Sequence, residues 1–334
     1  MSAILANVTR GEVVESSHRG NIVVADSSGT ILAHMGNPEM VTFMRSAAKP
    51  LQALNVIRSD AYKKFQFTNE ELAIFCASHY GERFHQEVIH KILQKMGDNL
   101  DSLLCGTPYS ISTDYHEQQV REHHIMTTAN SDCSGKHCGF LSVCHTKGYD
   151  GSMYDQLLHP MQQEILQILS DFCDMECEEF PIGMDGCGVP VHGMPLRNMA
   201  MAYARFANPE HAPIPYQEGC KILFDAMNQA PHMIAGTNGF CTEFLQSTNG
   251  KFCGKSGAEA IYCIGVKNHD LGIVVKMEDG SDRALYPVVL STLQQLGLLT
   301  IEEMHKLNRF TYKKIYNNRG EEVGSVCPVF QLIR

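Results

Sequence analysis

Apolar residues recur at helical spacing through the middle of the chain, and short apolar runs bounded by turn residues lie towards both ends. Helical periodicity predicts a series of central helices at 85–96, 153–172, 195–206 and 216–228. Strand-length runs predict a hairpin at 11–35, strands at 241–247, 260–266 and 271–277, and then helices at 287–299 and 301–307. This order predicts an α/β protein in which both termini build an antiparallel sheet flanked by helices, with a helical lobe inserted between them.

Individual residues predict some helix boundaries, but one segment has two possible interpretations. Thr68 and Glu71 have the spacing of a capping box, and Gly97 is expected to end the helix at 85–96. His18–Gly20 interrupts the first strand of the predicted hairpin. Either this segment is a bulge or turn, or it is an edge that faces a ligand.

Composition supports one large globular unit. The chain has 334 residues, of which 44% are hydrophobic and 19% are charged, a balance typical of a protein with a sizeable core. No internal repeat, low-complexity tract or linker divides it. We therefore expect a single domain over 1–334, with a sheet-containing lobe at about 1–45 and 235–334 and a helical lobe at about 46–234.

Charge and cysteine content exclude several classes of partner. The net charge of −10 has no long run of one sign, which disfavours nucleic acid and anionic membranes. No stretch approaches a membrane span, and Met1–Val8 is too short and too polar for a signal peptide. Thirteen cysteines without a framework spacing predict mostly buried free thiols in a reducing compartment, so we expect a cytoplasmic protein.

Ser46 and Lys49 place a hydroxyl and an amine three residues apart at the start of a predicted helix, because Pro50 is best tolerated in a first turn. A serine hydroxyl attacks only when a base takes its proton. Lysine can be that base if its pKa falls from ~10.4 to about 7, which corresponds to ~4.6 kcal/mol and requires burial or nearby cations. By itself, Ser46-x-x-Lys49 is also consistent with a non-catalytic serine at the start of a helix and a lysine exposed to solvent.

A second motif, the triplet Lys255-Ser256-Gly257, follows about 200 residues after Lys49 and precedes an apolar run. S-x-x-K near the N-terminus with K-[ST]-G at a late strand is typical of penicillin-binding enzymes and serine β-lactamases. The lack of an export signal argues against a cell-wall enzyme. The two motifs together nevertheless favour serine–lysine chemistry.

Two glycine-punctuated loops, 129–140 and 183–190, are dense in side chains that can bind a metal. Cys133 and Cys187 supply two thiols, and such a pair with an open fourth position suits Zn²⁺. Spacing alone nominates His137 as the third ligand, because imidazole is far commoner than amine on zinc.

These motifs resemble, in their order and over nearly the whole chain, the asparaginase II family of the Rhizobium etli type. Cys-Ser-Gly-Lys-His is the most specific of them. The motifs are His18-Arg19-Gly20, Arg45-Ser46-x-x-Lys49-Pro50, Ser78-His79-x-Gly81-Glu82, Cys133-Ser134-Gly135-Lys136-His137, Asp185-Gly186-Cys187-Gly188 and Lys255-x-Gly257-Ala258-Glu259.

The resemblance implies a fold similar to that of serine β-lactamases and penicillin-binding proteins, and hydrolysis of L-asparagine to L-aspartate and ammonia. It implies two catalytic pairs, Ser46 with Lys49 and Ser78 with Lys255, and an acyl-enzyme on Ser46. We expect L-asparagine as the small-molecule partner and a homodimer as the assembly.

The same resemblance implies one Zn²⁺ per chain, held by Cys133, Lys136 and Cys187 with water completing the shell. The choice of Lys136 rests wholly on the family. A lysine ligand must be neutral, so metal binding would have to weaken in acid. The substrate pocket is implied to be lined by Arg45, His137 and Asp185.

Two other interpretations belong to different classes. One is a penicillin-recognising serine hydrolase, which nitrocefin turnover would separate from ammonia release. The other is a non-catalytic zinc-binding protein on the same fold. Cys138 and Ala260 depart from the family pattern, where a smaller residue and glycine respectively are usual, and both could alter packing near the site.

Overall fold

The structure is a computed structural model that describes residues 1–334. Eleven strands form its sheets. They are β1 (Ala3–Arg10), β2 (Val13–Ala25), β3 (Ile31–Met35), β4 (Val41–Phe43), β5 (Ile182–Met184), β6 (Pro190–Pro195), β7 (Phe252–Gly257), β8 (Ile261–Val266), β9 (Leu271–Met277), β10 (Lys313–Tyr316) and β11 (Glu322–Pro328).

Thirteen α-helices surround and cover the sheets. They are α1 (Lys49–Arg58), α2 (Ala61–Lys64), α3 (Asn69–Phe75), α4 (Arg83–Met96), α5 (Thr113–Arg121), α6 (Ser134–Lys147), α7 (Pro160–Cys173), α8 (Leu196–Ala207), α9 (Gln217–Gln229), α10 (Phe240–Thr248), α11 (Leu285–Gln295), α12 (Ile301–Lys306) and α13 (Asn308–Thr311). None of them combines the length and the apolar composition that a membrane crossing requires.

The main sheet has the strand order β10-β11-β1-β2-β9-β8-β7, and β3 pairs with β2. Every one of these pairings is antiparallel. The N-terminal strands thus lie between strands from the C-terminal part of the chain. This confirms the predicted class, an α/β protein with an antiparallel sheet that is formed by both termini and flanked by helices.

Helix α8 lies against the main sheet because two glycines let it approach the strands closely. A Cβ on Gly272 would overlap the carbonyl oxygen of Ala200, and one on Gly265 would overlap that of Tyr203. Ninety-four buried apolar residues form one contiguous core that includes side chains of the sheet and of the helices. The proposed division into a sheet-containing lobe and a helical lobe stays a prediction.

Most predicted helices lie close to their observed positions, and β9 has the predicted bounds. The capping box of Thr68 and Glu71 is present. Gly97 ends α4 in the left-handed conformation, which glycine adopts readily. In these segments the apolar residues have a clear helical or strand spacing, and in α3 and α4 a capping or stop residue marks the boundary.

The predicted strand at 241–247 is wrong, because this segment belongs to helix α10. Its buried side chains Phe240, Cys241, Phe244 and Leu245 have helical spacing. Strand β7, which ends with the Lys255-Ser256-Gly257 triplet, was not predicted. The triplet therefore closes one strand and does not open the next.

Two other segments also differ from expectation. Residues 153–159 are turns, and helix α7 begins only at Pro160, with the His159 side chain capping its first turn. His18–Gly20 does not interrupt its strand but lies within β2. The register shift falls opposite this segment, at Leu5 of β1, where one extra residue is accommodated.

Candidate active site

Two buried lysines converge on one serine hydroxyl at the edge of the main sheet. Lys49 Nζ lies 3.0 Å and Lys255 Nζ lies 2.8 Å from Ser78 Oγ. Lys49 is in the first turn of α1, Lys255 is in β7, and Ser78 follows the end of α3. The two amines are 1% and 0% exposed, so the protein must provide the hydrogen bonds that water would otherwise make.

The two lysines have different partners, and their pKa values move in opposite directions. Lys49 also donates to the backbone oxygen of Asp132 at 3.1 Å and approaches its carboxylate at 3.4 Å. Burial, the largest effect, opposes its charge, but electrostatic interactions with Cys133 and Asp132 raise the pKa of Lys49. Lys255 donates to the Ser256 carbonyl at 2.7 Å, and burial lowers its pKa to about 8.

Ser46 lies in a short 3₁₀ turn, Arg45–Ala48, that leads directly into α1. Pro50 occupies the first turn of that helix, as predicted. The Ser46 hydroxyl is half-buried and makes no hydrogen bond to Lys49, whose amine is directed at Ser78 instead. Arg45 has a φ of +52°, a left-handed conformation that is unfavourable for a residue with a side chain and often marks a functional turn.

Glycine allows β7 to approach the turn that carries Ser46. A Cβ on Gly257 would lie 2.8 Å from the Met44 carbonyl oxygen and 3.1 Å from the Ala47 nitrogen. From the other side, Tyr203 of α8 donates to the Ala47 carbonyl at 2.7 Å. The position of the Ser46 turn is therefore fixed by both the sheet edge and the helix behind it.

The Ser78 segment is held by backbone hydrogen bonds to the chain just before α10. Ser78 donates from its backbone nitrogen to Ile234 at 3.0 Å, and Tyr80 donates to Ala235 at 2.7 Å. These bonds resemble a short strand pairing, although neither segment belongs to a sheet. They keep Ser78 facing the two lysines.

His79 joins this segment to helix α6. Its Nδ1 accepts a hydrogen bond from the backbone nitrogen of Gly81 at 3.1 Å, so its Nε2 carries the proton and donates to Ser134 Oγ at 2.9 Å. Burial, helped by the charge of Lys49, lowers the pKa of His79 to about 3 and keeps the ring neutral. A neutral histidine here orients the loop and is not a proton carrier near neutral pH.

A second cluster contains the thiols predicted as metal ligands. Ligand atoms of Cys133, Asp185 and Cys187 all lie within 4.8 Å of one another. Lys136 Nζ donates to Cys187 Sγ at 3.0 Å and lies 3.5 Å from an Asp185 carboxylate oxygen. The interaction with the Cys133 thiol and the Lys136 charge both lower the pKa of Cys187, although its burial opposes this. One thiolate is therefore already favoured at this position.

Arg45 connects the two clusters. Its Nε and Nη2 both lie 3.0 Å from one carboxylate oxygen of Asp185. Asp185 begins a tight turn in which Gly188 has a φ of +88° and donates back to the Asp185 carbonyl at 2.9 Å. The residue before Ser46 and the loop that carries Cys187 are thereby tied together.

The remaining predicted pocket residue, His137, is fully buried in the first turn of α6. Its Nδ1 lies 2.7 Å from the hydroxyl of Tyr154, and its Nε2 lies beside Cys187 without a hydrogen-bond partner. Burial lowers the pKa of His137. Gly135, on the same turn, allows close packing, since a Cβ there would overlap the Ile74 carbonyl oxygen.

The structure thus gathers the predicted site residues into two adjoining clusters, linked by Arg45 and Asp185. Three further residues belong to these surroundings but were not singled out from the sequence. Asp132 stood within a loop already recognised as rich in polar groups, and Tyr154 lay in a segment interpreted as helix. His192 of β6 is buried with both ring nitrogens unpaired, and no sequence signal distinguishes it.

A known protein family matches most of the chain. The model of the family described as L-asparaginase II matches residues 6–328. The chain belongs to the L-asparaginase II family. The family resemblance inferred from the motifs is therefore confirmed. No curated protein sequence matches the chain.

Solved structures with similar folds are remote in sequence. A β-lactamase from Mycobacterium bovis is 14% identical, with 83% of this chain and 94% of that chain covered and a TM-score of 0.44. A Bacillus glutaminase is 10% identical, with coverages of 84% and 91% and a TM-score of 0.38. The protein Mglu, in its tris and glutamate form, is 14% identical with a TM-score of 0.38. The alignment covers 85% of this chain, which spans only 60% of the Mglu chain.

The close approach of β7 to the Ser46 turn leads to a first prediction. Gly257→Ala should push the turn away from Ser78 and Lys255, and we expect kcat/KM for amide hydrolysis to fall by about a hundredfold. Gly254→Ala is the matched control, because its Cβ would meet Phe244 and Tyr262 side chains, away from Ser46. Both variants should lose thermal stability, but the control should keep its turnover within a few fold. Equal turnover in the two variants would contradict this account of the turn.

Proposed function

We propose that the protein is an L-asparaginase, which hydrolyses L-asparagine to L-aspartate and ammonia. The observation that carries the proposal is the convergence of Lys49 and Lys255 on Ser78, next to the Ser46 turn, in a chain of the L-asparaginase II family. The decisive experiment is direct: purified protein should release equimolar ammonia and aspartate from L-asparagine.

The proposed reaction begins at Ser46, whose hydroxyl is the more accessible of the two serines. Its oxygen bonds to the side-chain amide carbon while its proton passes through Ser78 to Lys255. Protonation of the amide nitrogen then releases ammonia and leaves an aspartyl ester on Ser46. Water cleaves this ester by the reverse proton route, which regenerates the serine and gives aspartate.

The lysines supply different parts of this chemistry. Lys255, with a pKa lowered to about 8, can be neutral near physiological pH and accept the proton. Lys49 remains an ammonium beside Asp132, orients Ser78 and stabilises negative charge nearby. Backbone N–H groups at the start of α1 are suited to the oxyanion of the tetrahedral intermediate.

Substrate recognition is assigned to the Arg45–Asp185 pair and His137. An amino acid substrate carries a carboxylate and an ammonium, and a guanidinium beside a carboxylate complements both charges. The Nε2 of His137, which is buried beside Cys187 and has no hydrogen-bond partner, is a further polar atom near this pair. This set favours a free amino acid over an amide within a peptide.

The thiol cluster fits a zinc ion by its chemistry. Two thiols from separate loops lie within reach of each other and of a carboxylate, and one thiolate is already favoured. We propose that Cys133 and Cys187 hold one Zn²⁺ per chain, with Lys136 as the ligand implied by the family and Asp185 within reach. A bound ion would supply positive charge that fixes these loops and attracts the polar end of the substrate.

The alternatives remain testable in the same assay. Nitrocefin turnover without ammonia release would indicate a penicillin-recognising hydrolase. Zinc binding with neither activity would indicate a non-catalytic protein. A homodimer and a cytoplasmic location are part of the proposal and rest on the family resemblance and on composition.

The nucleophile assignment gives a second prediction. Ser46→Ala should abolish nearly all turnover, whereas an acyl-enzyme should be detectable by intact-mass analysis after acid quench of the wild type. Lys49→Ala should be similarly inactive, and the double variant little worse than either single one, because the groups act as a unit. If Ser46→Ala stays within about tenfold of wild type, roughly 1.4 kcal/mol, Ser46 is not the nucleophile, and Ser78 becomes the candidate.

The depressed pKa of Lys255 gives a third prediction. Only the neutral amine accepts a proton, so kcat/KM should rise with pH and level off above an apparent pKa near 8. Because the folded pKa lies below the usual value of 10.5, this group should also make the fold more stable as pH rises between the two values.

The control for this profile is Lys276, another buried lysine with a lowered pKa, whose amine donates to the carbonyls of Glu259 and Met277. Lys276→Met should leave the rising limb in place. A flat profile between about pH 6 and pH 9 would exclude Lys255 as the base.

Metal removal gives a fourth prediction. Because thiolate ligands offset the charge of zinc, and serine nucleophiles are already present, the ion should position substrate without generating the attacking group. Metal-free protein, checked by mass spectrometry, should show a raised KM with kcat within about an order of magnitude of the holoprotein. Cys133→Ser and Cys187→Ser should each lose the metal. A thousandfold drop in kcat that zinc restores with KM unchanged would refute this role.

A further inference from the structure

Tyr154 is a fully buried residue that no part of the proposed reaction uses. It lies in the turns between α6 and α7, and its hydroxyl has two partners. The backbone nitrogen of Leu104 donates to the Tyr154 oxygen at 2.7 Å. On the other side, His137 Nδ1 lies 2.7 Å from the same oxygen.

The positions of the protons in this chain follow from what each group can donate. The Leu104 N–H can only donate, so the Tyr154 oxygen is the acceptor in that bond. The Tyr154 proton then needs an acceptor, and His137 Nδ1 is the only one in reach. If Nδ1 carried a proton instead, the buried tyrosine proton would have no partner, which folded proteins avoid. Nδ1 is therefore unprotonated, and the neutral ring carries its proton on Nε2.

The remaining nitrogen is directed at the site. His137 Nε2 is buried, makes no hydrogen bond of good geometry, and lies beside Cys187, with Lys136 nearby. An N–H at this position can donate to the Cys187 sulfur or to a polar atom of a bound substrate.

We infer that Tyr154 is a positioning residue that fixes the tautomer of His137, so that a single N–H donor faces Cys187 and the pocket. The two rings meet edge to face, with centroids 5.3 Å apart and planes at 73°, which also fixes the direction of the imidazole. The Leu104 N–H in turn anchors the hydroxyl to the backbone. Tyr154 therefore acts on the site through His137 and does not touch substrate.

The first test needs no activity. Long-range ¹H–¹⁵N correlation spectra of wild-type protein with ¹⁵N-labelled histidine report which ring nitrogen carries the proton, and His137→Gln identifies the signal by its loss. We expect His137 to have an unprotonated Nδ1 and a protonated Nε2. A protonated Nδ1 in the wild type would overturn the inference without any tyrosine variant.

The second test removes only the hydroxyl. Tyr154→Phe keeps the ring but frees Nδ1, so the spectra should show a second tautomer for His137. If the protein is an asparaginase as proposed, kcat/KM should fall by about tenfold to a hundredfold, the range for groups that orient a functional histidine. Tyr149→Phe is the matched control, because Tyr149 bonds to Glu164 at the other end of α6 and should change neither readout.

A double-variant cycle separates orientation from general damage. A glutamine amide can place an N–H where His137 Nε2 lies, and it has no tautomers. Tyr154→Phe should therefore cost little further activity in a His137→Gln background. Unchanged tautomers in Tyr154→Phe, or a full loss of activity in the His137→Gln background, would overturn the inference. Absence of asparagine turnover in the wild type would refute the proposed function, while the spectra would still decide the tautomer.

Discussion

The burial of two amines around one hydroxyl is the constraint on which the site depends. A charged lysine in a dry interior is strongly unfavourable unless its donors find acceptors. Lys49 meets this requirement with Ser78 and both the carbonyl and the carboxylate of Asp132. Lys255 has only Ser78 and the Ser256 carbonyl, with no carboxylate beside it. Burial opposes the charge of both lysines, but the groups beside Lys49 outweigh it and raise the pKa of Lys49, whereas burial lowers that of Lys255.

Such a site requires close contact between elements that lie far apart in the sequence, and glycine makes that contact possible. Gly257 brings β7 to the Ser46 turn, and Gly135 brings the start of α6 to the end of α3. Gly81 has a φ of +69° and lies so close to the Asn130 backbone that a Cβ would overlap its oxygen. The glycines of these motifs thus lie where two backbones come into close contact, and the residues next to them in the motifs provide the polar side chains of the site.

The sequence was informative where a local pattern decides the outcome, and less so where tertiary packing does. The spacing of apolar residues and the left-handed stop at Gly97 define α4, whereas α10 was mistaken for a strand because its phenylalanines are a residue type enriched in strands. Ser46 and Lys49 were expected to pair from helical spacing alone. Lys49 instead bonds to Ser78, because the sheet edge and the Asp132 loop, which spacing cannot reveal, determine the direction of its amine. Tyr154 was missed for the same reason, since its importance lies in two contacts made from irregular turns.

Ala260 stands where glycine is common in the family, and the backbone at this position explains the preference for glycine. Glu259 and Ala260 both have positive φ values, +65° and +53°, in the turn between β7 and β8. Glycine is common in the family at the second position because it adopts this conformation without strain. Ala260 has this unfavourable backbone conformation, and its methyl group is buried next to β7. The turn joins β7, which carries Lys255, to β8, so its backbone conformation belongs to the sheet edge that lies beside Ser78.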